Sequence, residues 1–167
     1  MWFSDRRHFL SLAAAFAVVA CGFTPAYGPD SAARGLLGKV HADDPGDKNG
    51  FDFVARLEER LGRPNNPAYR LSYAIAVTIE GLGITSSNVI TRYSVNATAT
   101  YSLRRSGSDV VIASGAIRNF TSYSASGTVV STAASRRDAN LRLMRSLADQ
   151  VVTELTVAAD AGNWAEP

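Results

Sequence analysis

The clearest pattern in the chain is an alternation of apolar and polar residues through its middle. In residues 69–80 every second residue is apolar, and the residues between them are mostly polar. The apolar positions are Tyr69, Leu71, Tyr73, Ile75, Val77 and Ile79. Residues 92–103 alternate in the same way. A period of two predicts two strands that each bury one face, joined by a loop at residues 81–88. Residues 104–109 then predict a hairpin turn with Gly107 at positive φ.

A third long strand is predicted over residues 110–123. Its alternation begins regularly and loses phase near residues 118–120. A bulge or bend at that point would account for the change of phase. A short strand is also predicted over residues 36–42, before the polar turn at residues 43–47.

Helical spacing marks two further segments. Val54, Leu57 and Leu61 share one face of a helix predicted over residues 50–61, which Gly62 ends at its C-terminus. Ser135 and Asp138 resemble a capping box at the start of a long C-terminal helix. Its apolar stripe has three-four spacing: Leu141, Met144, Ala148, Val151, Leu155 and Ala158.

The predicted order is therefore strand, helix, three strands, helix. It favours an α+β fold in which two helices pack on one face of a four-stranded mixed, mainly antiparallel sheet. The other face carries mostly Ser, Thr, Asn and small residues. Such a face is suited to water or to the polar interior of a partner.

The N-terminus has the pattern of a lipoprotein signal. A charged segment precedes an apolar run, residues 12–20, which is shorter than the ~20 residues that span a bilayer. Cys21 follows at once in a lipobox-like sequence, so residues 1–20 are predicted to be cleaved and Cys21 to carry lipid. Residues 21–167 then form one domain with a short stem and a frayed tail. An ordinary signal peptide, or a buried helix with a chance cysteine, is the alternative.

Export could use either of two routes, because Arg6 and Arg7 resemble part of a twin-arginine signal but Asp5 departs from it. Two acyl chains would hold the protein stably to a membrane. Gly22 replaces the Asp that retains enterobacterial lipoproteins in the inner membrane. By resemblance, the outer membrane is therefore favoured.

Charge and side-chain chemistry exclude several function classes. The net charge of +2 argues against wholesale binding of nucleic acid. After cleavage His41 is the remaining histidine, and the single cysteine is committed to lipid. A histidine-based catalytic triad or a multi-histidine metal site therefore cannot form, and no glycine-rich phosphate-binding motif is present. We expect a protein that is not an enzyme and that has no cofactor or metal.

Several short motifs together resemble the lipopolysaccharide-assembly lipoprotein family LptE, in an alphaproteobacterial-like form. The matching segments are residues 21–28 (Cys-Gly-Phe-Thr-Pro-Ala-Tyr-Gly), Thr91-Arg92, Tyr101-Ser102-Leu103, Gly115 with Tyr123, and residues 147–151 with Leu155. The resemblance implies two helices against a four-stranded mixed sheet. It also implies an outer-membrane lipoprotein, on the periplasmic side, that plugs the LptD barrel, assists its assembly and helps pass lipopolysaccharide to the outer leaflet.

An anionic glycolipid calls for arginine donors that lie near one another. Residues 91–145 contain eight arginines but two acidic residues, Asp109 and Asp138. In an antiparallel sheet, the loops after the second and fourth strands share one end, so Arg92, Arg136 and Arg137 are the candidate lipopolysaccharide-binding residues. Arg136 and Arg137 are also predicted in the first helical turn, where the helix dipole disfavours cations. Each of the three could equally be a solvated surface charge.

Two questions stay open at this point. Tyr27, Tyr101 and Tyr123 are candidates for contact with the barrel, but they could equally be core or rim residues. The alternative function is that of a periplasmic lipoprotein in an ABC-type lipid-trafficking system, or of an envelope-structural lipoprotein, with no barrel partner.

Overall fold

The computed structural model describes residues 31–84 and 89–162, which form one sheet and one helical layer. In chain order, the elements are a 3-10 turn (Ala32–Gly35), β1 (Val40–Ala42), α1 (Lys48–Leu61), β2 (Tyr69–Ile84), β3 (Ile90–Arg105), β4 (Val111–Ser124) and α2 (Val129–Asp160). The strand order is β1-β2-β3-β4. β1 and β2 are parallel and the other pairs are antiparallel. The predicted α+β fold is confirmed.

Both helices cover the same face of the sheet. The register pairs Leu71 with Leu103 and Ala99 with Ile117, so the odd-numbered residues of β2, β3 and β4 share the covered face, together with Val40 and Ala42 of β1. The core lies between this face and the helices, and its fully buried side chains include Phe53, Leu71, Val95, Leu103, Leu143, Met144, Leu147, Val151, Val152 and Leu155. The even-numbered residues of β2, β3 and β4, with His41 of β1, form the opposite face, which we call the open face.

The caps of α1 explain its length. The Asp47 side chain accepts a hydrogen bond from the Gly50 backbone N–H at 2.7 Å, so the helix begins at Lys48 rather than at residue 50. It ends at Gly62, as predicted, where φ is 79° and the backbone N–H donates to the Glu58 carbonyl. The strand predicted at residues 36–42 is reduced to Val40–Ala42, because residues 36–39 form a turn in which the Lys39 backbone N–H donates to the Leu36 carbonyl and Gly38 has a φ of 67°.

The start of α2 corrects a prediction. The helix begins at Val129, and its N-cap is Thr128, whose Oγ1 accepts from the Ser131 backbone N–H at 3.2 Å. Ser135 therefore lies inside the helix instead of capping it. Arg136 and Arg137 are in the third turn, where the field of the helix terminus has fallen off, so the argument from an unfavourable dipole was wrong.

The strands correct two further predictions. β2 extends to Ile84, through half of the predicted loop, with register irregularities between Gly81 and Ile84. The pairing of β4 is continuous through residues 118–120, so no bulge lies there. The apolar and polar alternation is reversed here for another reason. The polar residue Asn119 faces the helices and donates from Nδ2 to Ser146 Oγ at 2.7 Å, while the apolar residue Phe120 points outward and is 72% exposed.

Three residues tie α2 to the sheet near its centre. Tyr101 of β3 is opposite Gly115 of β4, and its hydroxyl donates to Glu154 Oε2 of α2 at 2.6 Å. A Cβ added at Gly115 would lie 2.9 Å from Tyr101 Oη and 3.0 Å from Glu154 Oε2. Burial, together with this hydrogen bond, raises the pKa of Tyr101. Gly115 thus gives the tyrosine ring the room to cross β4.

We predict that Gly115→Ala lowers the free energy of unfolding by about 1–3 kcal/mol, because the added methyl group overpacks this contact. Chemical denaturation of the purified variant measures the change. The same substitution in a Tyr101→Phe background should cost less, since the nearest clashing atom is then missing. Equal costs in both backgrounds would contradict the assignment.

Candidate functional site

The molecule has two distinct ends. At the proximal end the chain enters β1, both helices finish, and the turn between β3 and β4 contains Gly107, whose φ of 77° confirms the prediction. At the distal end lie the β2–β3 hairpin and the β4–α2 connection. These two distal segments are adjacent, because the Ala125 backbone N–H donates to the Thr91 carbonyl at 2.8 Å.

The three candidate arginines share the distal end. Ser146 of α2 is opposite Asn119, and a helix rises ~1.5 Å per residue where a strand rises ~3.3 Å. Arg136 and Arg137 are therefore level with residues 123–124 of β4. The register pairs Ser124 with Arg92, so all three lie at nearly the same height along the sheet.

The arginines lie in different layers, however. Arg92 belongs to the open face, whereas Arg136 and Arg137 project from the helical layer on the other side of the sheet. All three side chains are exposed. Within residues 31–84 and 89–162, none of them forms an ion pair with a carboxylate. The distal end thus presents cationic groups on both sides of the sheet rather than one closed pocket.

The open face is strongly polar. On β3 and β4 it is built mainly from Ser, Thr and Asn: Ser94, Asn96, Thr98, Thr100, Ser102, Ser114, Ser122 and Ser124. Arginine is its main charged residue. Four arginines, Arg70, Arg92, Arg104 and Arg118, share this face with one acidic residue of the strands, Glu80. The large exposed aromatic residue on this face is Phe120, which the sequence analysis missed because its phase was unclear.

A shallow groove crosses the proximal part of the open face. Its walls include His41, Arg104 and Arg105, which lie at the end away from Arg92, as predicted. Arg70 Nε donates to Asp43 Oδ1 at 2.6 Å on the same side. Although partial burial opposes it, the hydrogen bond and charge of Arg70 hold the pKa of Asp43 below its usual range. This ion pair neutralises one of the three arginines that line the groove, Arg70.

Two of the candidate tyrosines are core residues. Tyr101 and Tyr123 are 7% and 8% exposed and face the helical layer. Tyr123 stacks on Tyr93 with the ring centroids 5.3 Å apart. Tyr101 and Tyr123 are therefore core residues and not candidates for contact with the barrel. Tyr27, the signal segment and Cys21 lie outside the described residues.

Exposed apolar side chains at the distal end were also missed from sequence. Leu82 and Val89 flank the hairpin, and Val129 and Val130 begin α2. They are isolated residues in polar sequence, so no periodicity marked them. Among residues 31–84 and 89–162, no helix is long and apolar enough to span a membrane, and no cluster of three metal-ligating side chains occurs.

Solved structures show the same fold in bacterial lipoproteins. A protein from Caulobacter crescentus CB15 named as a lipoprotein has a TM-score of 0.64 at 15% identity, covering 76% of this chain and 95% of that one. The minor lipoprotein of Acinetobacter baumannii has a TM-score of 0.59 at 15% identity, with 73% and 92% covered. The rare lipoprotein B of Shewanella oneidensis has a TM-score of 0.55 at 10% identity, with 71% and 92% covered.

Sequence comparison identifies the family directly. A comparison with curated protein sequences finds no significant match. The family model LptE, described as lipopolysaccharide-assembly, matches residues 37–155, which extend from before β1 to near the end of α2. This match covers well over half of the chain, so the protein belongs to the LptE family of lipopolysaccharide assembly.

Proposed function

We propose that this protein is an outer-membrane lipoprotein on the periplasmic side that plugs an LptD-like barrel, assists its assembly and helps move lipopolysaccharide to the outer leaflet. In this role it binds and positions its partners and catalyses no reaction. The observation that carries the proposal is the open face. A sheet face of Ser, Thr, Asn and Arg is suited to the polar interior of a transmembrane barrel.

The dimensions of the molecule support a plug. The 32 residues of α2 make a helix about 48 Å long, and β2 and β3, with 16 residues each, are about as long. A bilayer with its headgroup regions is ~40–45 Å thick. An elongated module of this length can lie along a barrel axis and reach from one side of the membrane to the other.

The proximal end is suited to face the anchor. The described chain starts there, so a stem of residues 22–30 separates it from Cys21. Nine extended residues span at most about 30 Å. Lipid on Cys21 would therefore hold the proximal end near the periplasmic surface of the membrane and leave the distal end to point into the barrel.

The distal arginines are suited to the anionic part of lipopolysaccharide. Arg92, Arg136 and Arg137 are exposed at one height of the fold without carboxylate partners among the described residues. Guanidinium groups bind phosphate and carboxylate through two parallel hydrogen bonds. Because the three lie on both sides of the sheet, they would contact separate anionic groups of one large glycolipid.

The test of the plug is co-purification after mild detergent extraction of the membrane. A large heat-modifiable barrel should accompany the wild-type protein, and Phe120→Ala should reduce its recovery severalfold, because exposed aromatic residues often dominate an interface. Phe51→Ala is the matched control, since Phe51 is an exposed phenylalanine on α1. Recovery of the wild-type protein without a barrel would contradict the proposal and favour the lipid-trafficking alternative.

For the arginines, we predict that Arg92→Ala/Arg136→Ala/Arg137→Ala weakens lipopolysaccharide binding by tenfold or more at low salt, at about 1 kcal/mol per exposed contact. Binding titrations across salt concentrations measure it, and the variant should show the weaker salt dependence. Arg104→Ala/Arg105→Ala, at the proximal end, should leave the affinity near that of the wild type. A folded triple variant with unchanged affinity would refute the assignment.

For the anchor, we predict that Cys21→Ser prevents lipidation, so the variant carries no acyl chains and depends on the barrel alone for its attachment to the membrane. Mass spectrometry of the wild-type N-terminus should find diacylglycerol on the Cys21 thiol and an acyl chain on its amine. A free thiol at Cys21 in the wild-type protein would rule out the anchor, whatever its cellular distribution.

A further inference from the structure

The two helices cover the sheet unequally. Phe53, in the second turn of α1, packs on the Tyr73 ring at a centroid distance of 5.0 Å, so α1 starts about two strand residues farther toward the distal end. From there α1 runs back toward the proximal end, and α2 lies over β3 and β4. The distal half of β2 therefore has neither helix directly above its covered-side residues. Leu71 is completely buried, but Ile75 and Val77 are half-buried and Ile79 is 47% exposed.

The flank of α2 forms a wall beside this stretch. Arg56 of α1 binds Asp149 at 3.0 and 3.1 Å, which identifies the side of α2 that faces α1. Leu141 lies two turns before Asp149 on that side and is half-buried. Counting from Ser146 opposite Asn119, Leu141 is level with Thr121, and hence with Val95 and Ile79 in the register.

Ile75, Val77 and Ile79 thus form a partly exposed apolar strip on β2, and Leu141 lies at the height of Ile79 on α2. We call these four residues the β2 trough. From Ile75 to Ile79 it is about 13 Å long. The strip is one strand wide, and among residues 31–84 and 89–162 no strand pairs with the outer edge of β2 beyond residue 71. These proportions suit a single extended hydrocarbon chain better than a helix or a strand.

Charge gives the trough a direction. Arg137 lies one turn beyond Leu141 on the same flank of α2, at the distal mouth. An amphiphile with an anionic headgroup is therefore attracted at the distal mouth.

We propose that the β2 trough holds one acyl chain of lipopolysaccharide, with the phosphorylated headgroup at the distal mouth near Arg137. The inference rests on the proposed function and adds to it a site for the hydrocarbon part of the ligand. Apolar contact with Ile79 and Val77 supplies affinity, and the guanidinium group sets the orientation. Lipopolysaccharide without acyl chains would lose the apolar contact with the trough and keep the contact of its headgroup with Arg137.

The test compares binding of three probes to the purified full-length mature lipoprotein: intact lipopolysaccharide, the same lipopolysaccharide with its acyl chains removed, and phosphatidylglycerol vesicles. Val77→Ser/Ile79→Ser should weaken binding of intact lipopolysaccharide about tenfold, from the loss of apolar contact. It should leave binding of the deacylated form unchanged. Val111→Ser/Val157→Ser, two exposed valines elsewhere, should match the wild type.

The outcomes separate this inference from the proposed function. If the wild type binds lipopolysaccharide and Val77→Ser/Ile79→Ser binds it equally well, the trough is wrong and the proposed function stands. If the variant keeps that affinity but no longer retains the barrel, or loses vesicle binding alone, the occupant is the barrel wall or a phospholipid and the inference is overturned. If the wild type binds no lipopolysaccharide, the proposed transport role fails as well. Ile79→Ser alone, at an already exposed position, serves if the double variant does not fold.

Discussion

The packing of α2 against β3 and β4 is the interaction on which the rest of the structure depends. Ala97 and Ala99 are almost completely buried beneath the helical layer, and their small side chains let it approach the centre of the sheet. The hydrogen bonds from Asn119 to Ser146 and from Tyr101 to Glu154 fix the height of the helix along the strands. Because α2 runs the whole length of β4, one helix secures a sheet that would otherwise be two exposed hairpins.

Unequal helix lengths then decide which surfaces stay available. α1 has 14 residues and α2 has 32, so the layer is two helices wide at the proximal end and one helix wide at the distal end. The ion pair of Arg56 with Asp149 holds α1 beside the proximal half of α2. The distal part of β2 keeps the apolar alternation of a core strand without a helix above it. This gap is the origin of the β2 trough.

One-sided burial also links the fold to its proposed role. A sheet with helices on one face must keep its other face wettable, and Ser, Thr and Asn side chains do so without strong charge. The same composition can exchange water for the polar wall of a barrel at small cost. The proposed anchor on the proximal side would, together with the arginines at the distal end, give the module a direction. These features agree with its membership of a lipopolysaccharide-assembly family.

The sequence by itself determined the strands, the two-helix α+β fold, the turns at Gly62 and Gly107 and the family, because alternation, helical spacing and glycine conformation are local properties of the chain. It also placed the candidate arginines at one end. The start of α2 is also local, because Thr128 caps it through the Ser131 backbone N–H, but the exposed first turns carry no apolar periodicity that could have marked it in the sequence. Tertiary structure decided that Asn119 faces inward and Phe120 outward, because a partner on α2 satisfies the amide. The layer that each arginine occupies, and the uncovered half of β2, depend on how far each helix reaches across the sheet, which no local pattern encodes.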